Sequence, residues 1–151
     1  MKKQDYDIEL YILMGQTLDL IRKSREKELV GSGITSTQAA AITAINEMGG
    51  VTSSEQISRR TMRERNTIHE LLGRMEKVGL VEKLNVYKRK NRVKVALTNK
   101  GREASDLVNE RKSIRKIMAS LSDEQRHQLE TYLKILFDAA LKEIGSRDKI
   151  T

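Results

Sequence analysis

Apolar residues between Asp5 and about Val30 recur at roughly helical spacing, at Ile8, Tyr11, Ile12, Leu18, Ile21 and Leu29, which predicts a long first helix. The Gly31-Ser32-Gly33 cluster ends it. Thr35-Ser36-Thr37-Gln38 then has the Ser/Thr-x-x-Glu/Gln form of a capping box, in which the two side chains satisfy free amides at a helix start. A second helix follows with Ala41, Ile42, Ile45 and Met48 turned inward, and Gly49-Gly50 closes it. Thr52-Ser53-Ser54-Glu55 supplies another capping box and opens a short third helix ending near Arg60. After Thr61-Met62-Arg63, the residues Ile68, Leu71, Leu72, Met75 and Val78 form one stripe of a fourth helix that runs to Gly79. Two helices joined by a tight turn, the second longer and amphipathic, make a helix-turn-helix pattern.

Beyond Gly79 the period changes from helical to alternating. Leu80, Leu84 and Val86 predict one strand, and Val93, Val95 and Leu97, alternating with Lys94, Ala96 and Thr98, predict its antiparallel partner. Between them lies the polar tip Tyr87-Lys88-Arg89-Lys90-Asn91-Arg92. A hairpin with a basic tip directly after a helix-turn-helix reads as a wing. From Asn99 the pattern is helical again through Leu107, Ile114, Ile117 and Met118, and Ser122-Asp123-Glu124-Gln125 caps a final helix carrying Leu129, Leu133, Leu136, Phe137, Ala140, Leu141 and Ile144. That apolar face is wider than one small domain readily covers. Together with the first helix it suits burial against a second chain, with packing of the two terminal helices on each other as the alternative.

The fold expected is therefore mainly α with a minor β component: one domain over 1–151, with a winged helix-turn-helix lobe at 34–98 and dimerisation helices at 5–30 and 99–146. One Phe, no Trp and no Pro suit an aliphatic, helical core.

Charge changes the picture once it is located. Of the net +8, residues 59–102 carry 14 Lys or Arg against 4 Glu, a local +10, so the rest of the chain sums to −2. Residues 83–102 alone hold eight basic residues and no acidic one. Such a stretch is the electrostatic footprint of a surface that meets a polyanion, whereas a run of charge taken alone reads equally as a solvated face. Cysteine is absent, which excludes disulfides, thiol catalysis and cysteine-ligated metals. His69 and His127 are too far apart in sequence to form a local ligand pair, and neither a metal nor a cofactor is expected. The start of the chain turns polar and acidic where a signal peptide would turn apolar, and no run approaches a membrane span, so a cytoplasmic protein is expected.

On a helical wheel that points Ile68, Leu71, Leu72 and Met75 at the core, Asn66, Glu70, Gly73 and Lys77 face outward, with Arg63, Thr67, His69 and Arg74 on the flanks. A helix in the major groove presents its first residues to base edges, where Asn suits adenine and Arg suits guanine. The candidate DNA-contacting residues are Arg63, Arg65, Asn66, Thr67, His69 and Arg74 from this helix and its approach. Glu70 is expected to pair with Arg74 through their i, i+4 spacing. In the wing, Arg89 and Arg92 suit minor-groove insertion, and Lys88, Lys90 and Lys94 suit phosphate. Phosphate contacts supply most of the affinity and little sequence information.

In order and spacing these residues resemble the MarR family of bacterial transcriptional regulators over nearly the whole chain. The markers are Ile34-Thr35 with Gln38, Gly49-Gly50-Val51-Thr52, Met75-Glu76-Lys77-Val78-Gly79-Leu80-Val81 and Leu97-Thr98-Asn99-Lys100-Gly101. The resemblance implies a homodimer held by the first, fifth and sixth helices, binding a pseudo-palindromic double-stranded operator and usually repressing. It also implies release by a small phenolic or lipophilic effector bound between the dimerisation region and the DNA-binding lobe. A ligand that favours a recognition-helix separation mismatched to the ~34–36 Å half-site spacing would weaken binding. This wing departs from the family pattern, because Lys88-Arg89-Lys90-Asn91-Arg92 contains no acid, which leaves open which residue enters the minor groove. The turn Thr61-Met62-Arg63-Glu64 is also more polar than the family's, and without Cys the family's peroxide-sensing thiol has no counterpart.

Two other classes compete. A winged helix whose basic face docks an acidic protein shares the charge pattern, and RNA binding lacks the aromatic platforms that single-stranded bases stack on. An enzyme has no nucleophile, base and orienting group in any recognisable motif here.

Overall fold

A computed structural model of the chain describes residues 3–84 and 93–145. The elements run α1 (Lys3–Leu29), α2 (Ser36–Glu47), β1 (Val51–Ser53), α3 (Ser54–Thr61), α4 (Arg65–Lys77), β2 (Val81–Leu84), β3 (Lys94–Leu97), α5 (Asn99–Glu110), α6 (Lys112–Met118) and α7 (Asp123–Ile144). The mainly helical, winged architecture is the one the periodicity implies. Val86 and the basic tip at 87–92 lie outside the described residues.

Local chemistry sets the helix starts. Thr35 caps α2 and Ser122 caps α7 in reciprocal boxes with Gln38 and Gln125, as their spacing predicts. The box on α3 sits one residue later than the sequence suggests, on Ser53 and Gln56 instead of Thr52 and Glu55. The reason is tertiary: Thr52 is taken into β1, where it pairs with Val95 and is buried. This third strand, too short to show alternation, makes β3 the centre of an antiparallel sheet ordered β1-β3-β2. Leu84 and Ser53 flank Lys94 on either side.

One core fills the lobe. Ile42 and Ile45 of α2, Ile57 of α3, Ile68, Leu72 and Met75 of α4, Val95 of β3 and Val108 of α5 are all buried in a single cluster. At ~1.5–3 kcal/mol for each buried aliphatic side chain, this cluster dominates the stabilisation of the lobe. Met48 and Val78, read as inward from their spacing, are both 48% exposed, because α2 and α4 end at these residues and the chain turns away at Gly49 and Gly79.

The Thr98–Gly101 segment ties the end of α4 to the wing and to α5. The Thr98 hydroxyl caps α5 by accepting from the Gly101 amide at 3.0 Å, and Lys100 Nζ donates to the Val78 carbonyl at 2.6 Å. The Thr98 amide donates to the Leu80 carbonyl at 3.1 Å, and that carbonyl lies against the Cα of Gly101.

The helical stretch after Asn99 is broken where its apolar spacing gives no sign of a break. Arg111 takes a left-handed conformation, with φ 46° and ψ 38°, and separates α5 from α6. Across the break α5 packs on α2, whereas α6 packs on α1. Two side chains of α1 grip it. Arg25, only 7% exposed, donates to the Val108 carbonyl and pairs with Glu28 at 2.8 Å. Glu28 accepts from the Lys112 amide at 2.7 Å and from the Ser113 hydroxyl at 2.6 Å.

The Ser113 hydroxyl, followed by Arg25 and the two backbone amides, outweighs desolvation and lowers the Glu28 pKa from 4.5 to about 2. A carboxylate depressed in the folded state contributes stability that is complete above pH 4.5 and is lost as pH falls through about 2. Glu28→Gln is therefore expected to be less stable than wild type at neutral pH by up to about 3 kcal/mol, the gap closing between those two pH values. Denaturant midpoints of both proteins measured across that range check it, and a gap independent of pH would refute the assignment.

Candidate nucleic-acid interface

The turn between α3 and α4 is built by backbone geometry and two hydroxyls. Met62 adopts a left-handed conformation with φ 57°, the Ser58 side chain donates to the Arg63 carbonyl, and the Thr61 hydroxyl donates back to Ile57 at 2.7 Å. The reversal brings α4 across α3 with Ile68, Leu71, Leu72 and Met75 buried. The opposite face is then fixed by the 3.6-residue period. Asn66, Thr67, Glu70, Arg74 and Lys77 are exposed, Gly73 is half-buried among them, and His69 lies half-buried at the edge of the face.

The other candidates divide. Arg65 is drawn toward α3, 3.5 Å from Glu55, which also holds Arg59 at 3.0 Å, and its buried Nε has no partner. Arg63 is half-buried and lines a cleft behind the turn, away from Asn66 and Arg74. Lys94 sits at the start of the central strand, half-buried at the base of the wing. Lys88, Arg89, Lys90 and Arg92 lie outside the described residues. Glu70 and Arg74 do not form the ion pair that their spacing suggests. Among the described residues no group of His, Asp and Glu could hold a metal ion, and no helix is long and apolar enough to cross a membrane.

One arginine that the wheel of α4 could not bring in stands beside this surface. Arg59, on the last turn of α3, is 57% exposed and shares Glu55 with Arg65, whereas its neighbour Arg60, 64% exposed, lines the cleft behind the turn. Only the i, i+4 spacing of Arg59 from Glu55 was visible in the sequence. Arg60 bonds Glu47 of α2 at 2.8 Å across thirteen residues, and the guanidinium holds that carboxyl below its ordinary range.

The cleft behind the turn has a volume of about 510 Å³ and is walled by α1, α2, the α3–α4 turn and the α5–α6 break. It is lined by the small residues Ala39, Ala40, Thr43 and Ala44 and by Arg22, Arg25, Arg60, Arg63 and Arg111, of which Arg25 is buried on Glu28, Arg60 is held by Glu47 and Arg22 lies 3.8 Å from Asp19. Arg111 donates to Thr43 at 3.3 Å, among those small residues.

Comparison with known proteins bears on what this arrangement is. No curated protein sequence matches the chain. Its fold is similar to that of the organohalide-sensing transcriptional regulator RdhR in the ligand-free form, with a TM-score of 0.86 at 22% identity over 94% of this chain and 85% of that one. It is also similar to a variant of MarR from E. coli complexed with operator DNA, with a TM-score of 0.78 at 18% identity over 90% of this chain and 99% of that one. BpsR of Bordetella bronchiseptica gives a TM-score of 0.76 at 15% identity over 85% of this chain and 98% of that one. At these identities the likeness is one of fold. Residues 32–87, which carry the helix-turn-helix and the first wing strand, match the sequence profile of the MarR family. Over that segment the chain is similar to the MarR family, and the fold in which the segment sits is shared with these regulators.

Proposed function

We propose that the chain is a sequence-specific, double-stranded DNA-binding transcriptional regulator that acts as a homodimer on a pseudo-palindromic operator, as a repressor, and that it is a binding protein and not a catalyst. The observation that carries this reading is the outward face of α4, where Asn66, Thr67 and Arg74 stand exposed on a helix whose other side is locked into the core. Arg59 beside it, and the basic wing after it, supply the cations that a phosphate backbone requires. The E. coli MarR variant of the same fold is complexed with operator DNA.

The dimer rests on apolar surface. Tyr11 and Leu20 of α1 are 73% and 65% exposed, and Tyr132, Ile135 and Leu136 of α7 are likewise open. Large apolar side chains on two long helices stabilise the protein once a second copy covers them. The effector site is the cleft: it joins the dimerisation helices to the turn before α4, and while Glu28, Glu47 and Asp19 pair with Arg25, Arg60 and Arg22, its Arg63 and Arg111 form no salt bridge to a carboxylate among the described residues and favour a small aromatic anion. Solved structures of similar fold hold 2,4-dichlorophenol in RdhR and 4-hydroxyphenylacetate in NadR, and BpsR is regulated by 6-hydroxynicotinic acid.

Selection of bound sites from a random duplex pool tests the reading, with recovery of an inverted repeat as the expected result. An unenriched pool would sink it and leave the docking of an acidic protein. Within such an operator, Asn66→Ala is expected to cost about 1–3 kcal/mol on specific DNA and little on random DNA. Lys90→Ala should weaken both about equally. Equal losses on both duplexes from the Asn66 change would remove it from the base readers.

A further inference from the structure

The DNA-binding lobe joins the dimerisation helices at two places, the Gly31–Ile34 turn after α1 and the left-handed break at Arg111 between α5 and α6. The first is closed locally, by the Ser32 hydroxyl donating to Leu29 and accepting from the Ile34 amide. The second has no such hydroxyl closure, only the exposed Lys112–Glu110 pair at 2.9 Å across it, and a left-handed arginine is a conformation that its surroundings have to impose.

The buried groups that hold its two flanks come from more than eighty residues away. Arg25 takes the Val108 carbonyl on the α5 side, Glu28 takes the Lys112 amide and the Ser113 hydroxyl on the α6 side, and the two are joined at 2.8 Å. The side chains of this pair are 8% and 19% exposed, so it is little screened by solvent. One ion pair on α1 thus grips both sides of the break, and Arg25 and Arg111 also line the cleft.

We propose that Arg25 and Glu28 are positioning residues for operator recognition: by clamping the α5–α6 break they fix the angle between each DNA-binding lobe and the dimerisation helices, and so select the half-site spacing. The proposal rests on the dimeric DNA-binding reading above. A dimer reads two half-sites one helical turn apart, so a rigid lobe angle admits one spacing and a loosened angle admits its neighbours. The clamp touches no DNA-facing residue, and its loss leaves the reading of a single half-site intact.

The experiment measures affinity for the selected operator, for versions with one base pair inserted or removed at the centre, and for an isolated half-site. Wild type, Glu28→Ala, Glu28→Gln and Ser113→Ala are compared, with Asp19→Asn, which breaks an exposed pair on the same helix, as control. Protein folding is followed by thermal melting. Wild type should prefer one spacing, and Glu28→Ala should reduce that preference by about 5- to 150-fold, the usual span of couplings between sites, with half-site affinity unchanged. Ser113→Ala, which deletes one bond of the clamp and little volume, should fall between the two. Glu28→Gln, which keeps an acceptor for the amides, should do likewise, and Asp19→Asn should match wild type. A folded Ser113→Ala or Glu28→Gln protein with undiminished spacing preference overturns the clamp alone. Wild type without any preference overturns the dimeric reading, and the clamp with it.

Discussion

Operator affinity is expected to fall roughly 10³–10⁵-fold between about 50 and 200 mM salt if the dimer makes ~6–10 phosphate contacts. The expectation follows from where the charge is placed. A chain with a charge of +10 in residues 59–102 and −2 over the remainder concentrates nearly all the attraction to phosphate on the helix-turn-helix and the wing. Each phosphate neutralised releases condensed counterions, and the entropy of that release shrinks as bulk salt rises. Arg59 already holds the carboxylate of Glu55, which a phosphate has to displace or share, so it contributes less to the slope than cations of the wing. Titration of a labelled operator at several salt concentrations measures the slope. Nearly salt-independent binding would mean that the basic stretch does not face the duplex.

Gly101→Ala is expected to destabilise the fold by about 3 kcal/mol or more, although alanine favours helices over glycine by about 1 kcal/mol. The residue lies in the first turn of α5, where that gain would ordinarily be collected. A Cβ here would stand 2.1 Å from the Leu80 carbonyl oxygen and 3.1 Å from a methyl of Leu97. The oxygen is backbone, and it already accepts from the Thr98 amide, so relieving the clash means parting α5 from the start of β2 and loosening that bond. Clash therefore outweighs propensity. At ~2–4 °C per kcal/mol for a chain of this size, the melting midpoint should drop by roughly 6–12 °C at fixed protein concentration. A variant that melts with or above wild type would show that the segment has room to move.

Some of this was legible in the residues. The stripe Ile68-Leu71-Leu72-Met75 determines both the buried and the exposed face of α4, because a helix period leaves no freedom once four apolar positions are placed. Other features depend on partners that no local pattern names. β1 spans three residues and exists because β3 offers it a free edge. The capping box on α3 moved by one residue when Thr52 was drawn into that strand. Arg63, a plausible base reader by spacing, turns to the cleft, and Arg65 toward Glu55, since the left-handed turn at Met62 redirects the side chains that come after it.

The same division holds for the molecule as a whole. Composition and period by themselves determined a helical chain with a helix-turn-helix, a wing and a concentrated positive charge, since each of these is a property of neighbours along the sequence. Tertiary structure alone decided the break at Arg111, the grip of Arg25 and Glu28 on it, and the close approach of Gly101 to Leu80. Those are contacts between residues twenty to more than eighty positions apart, and their energies appear only once the core has brought the segments together.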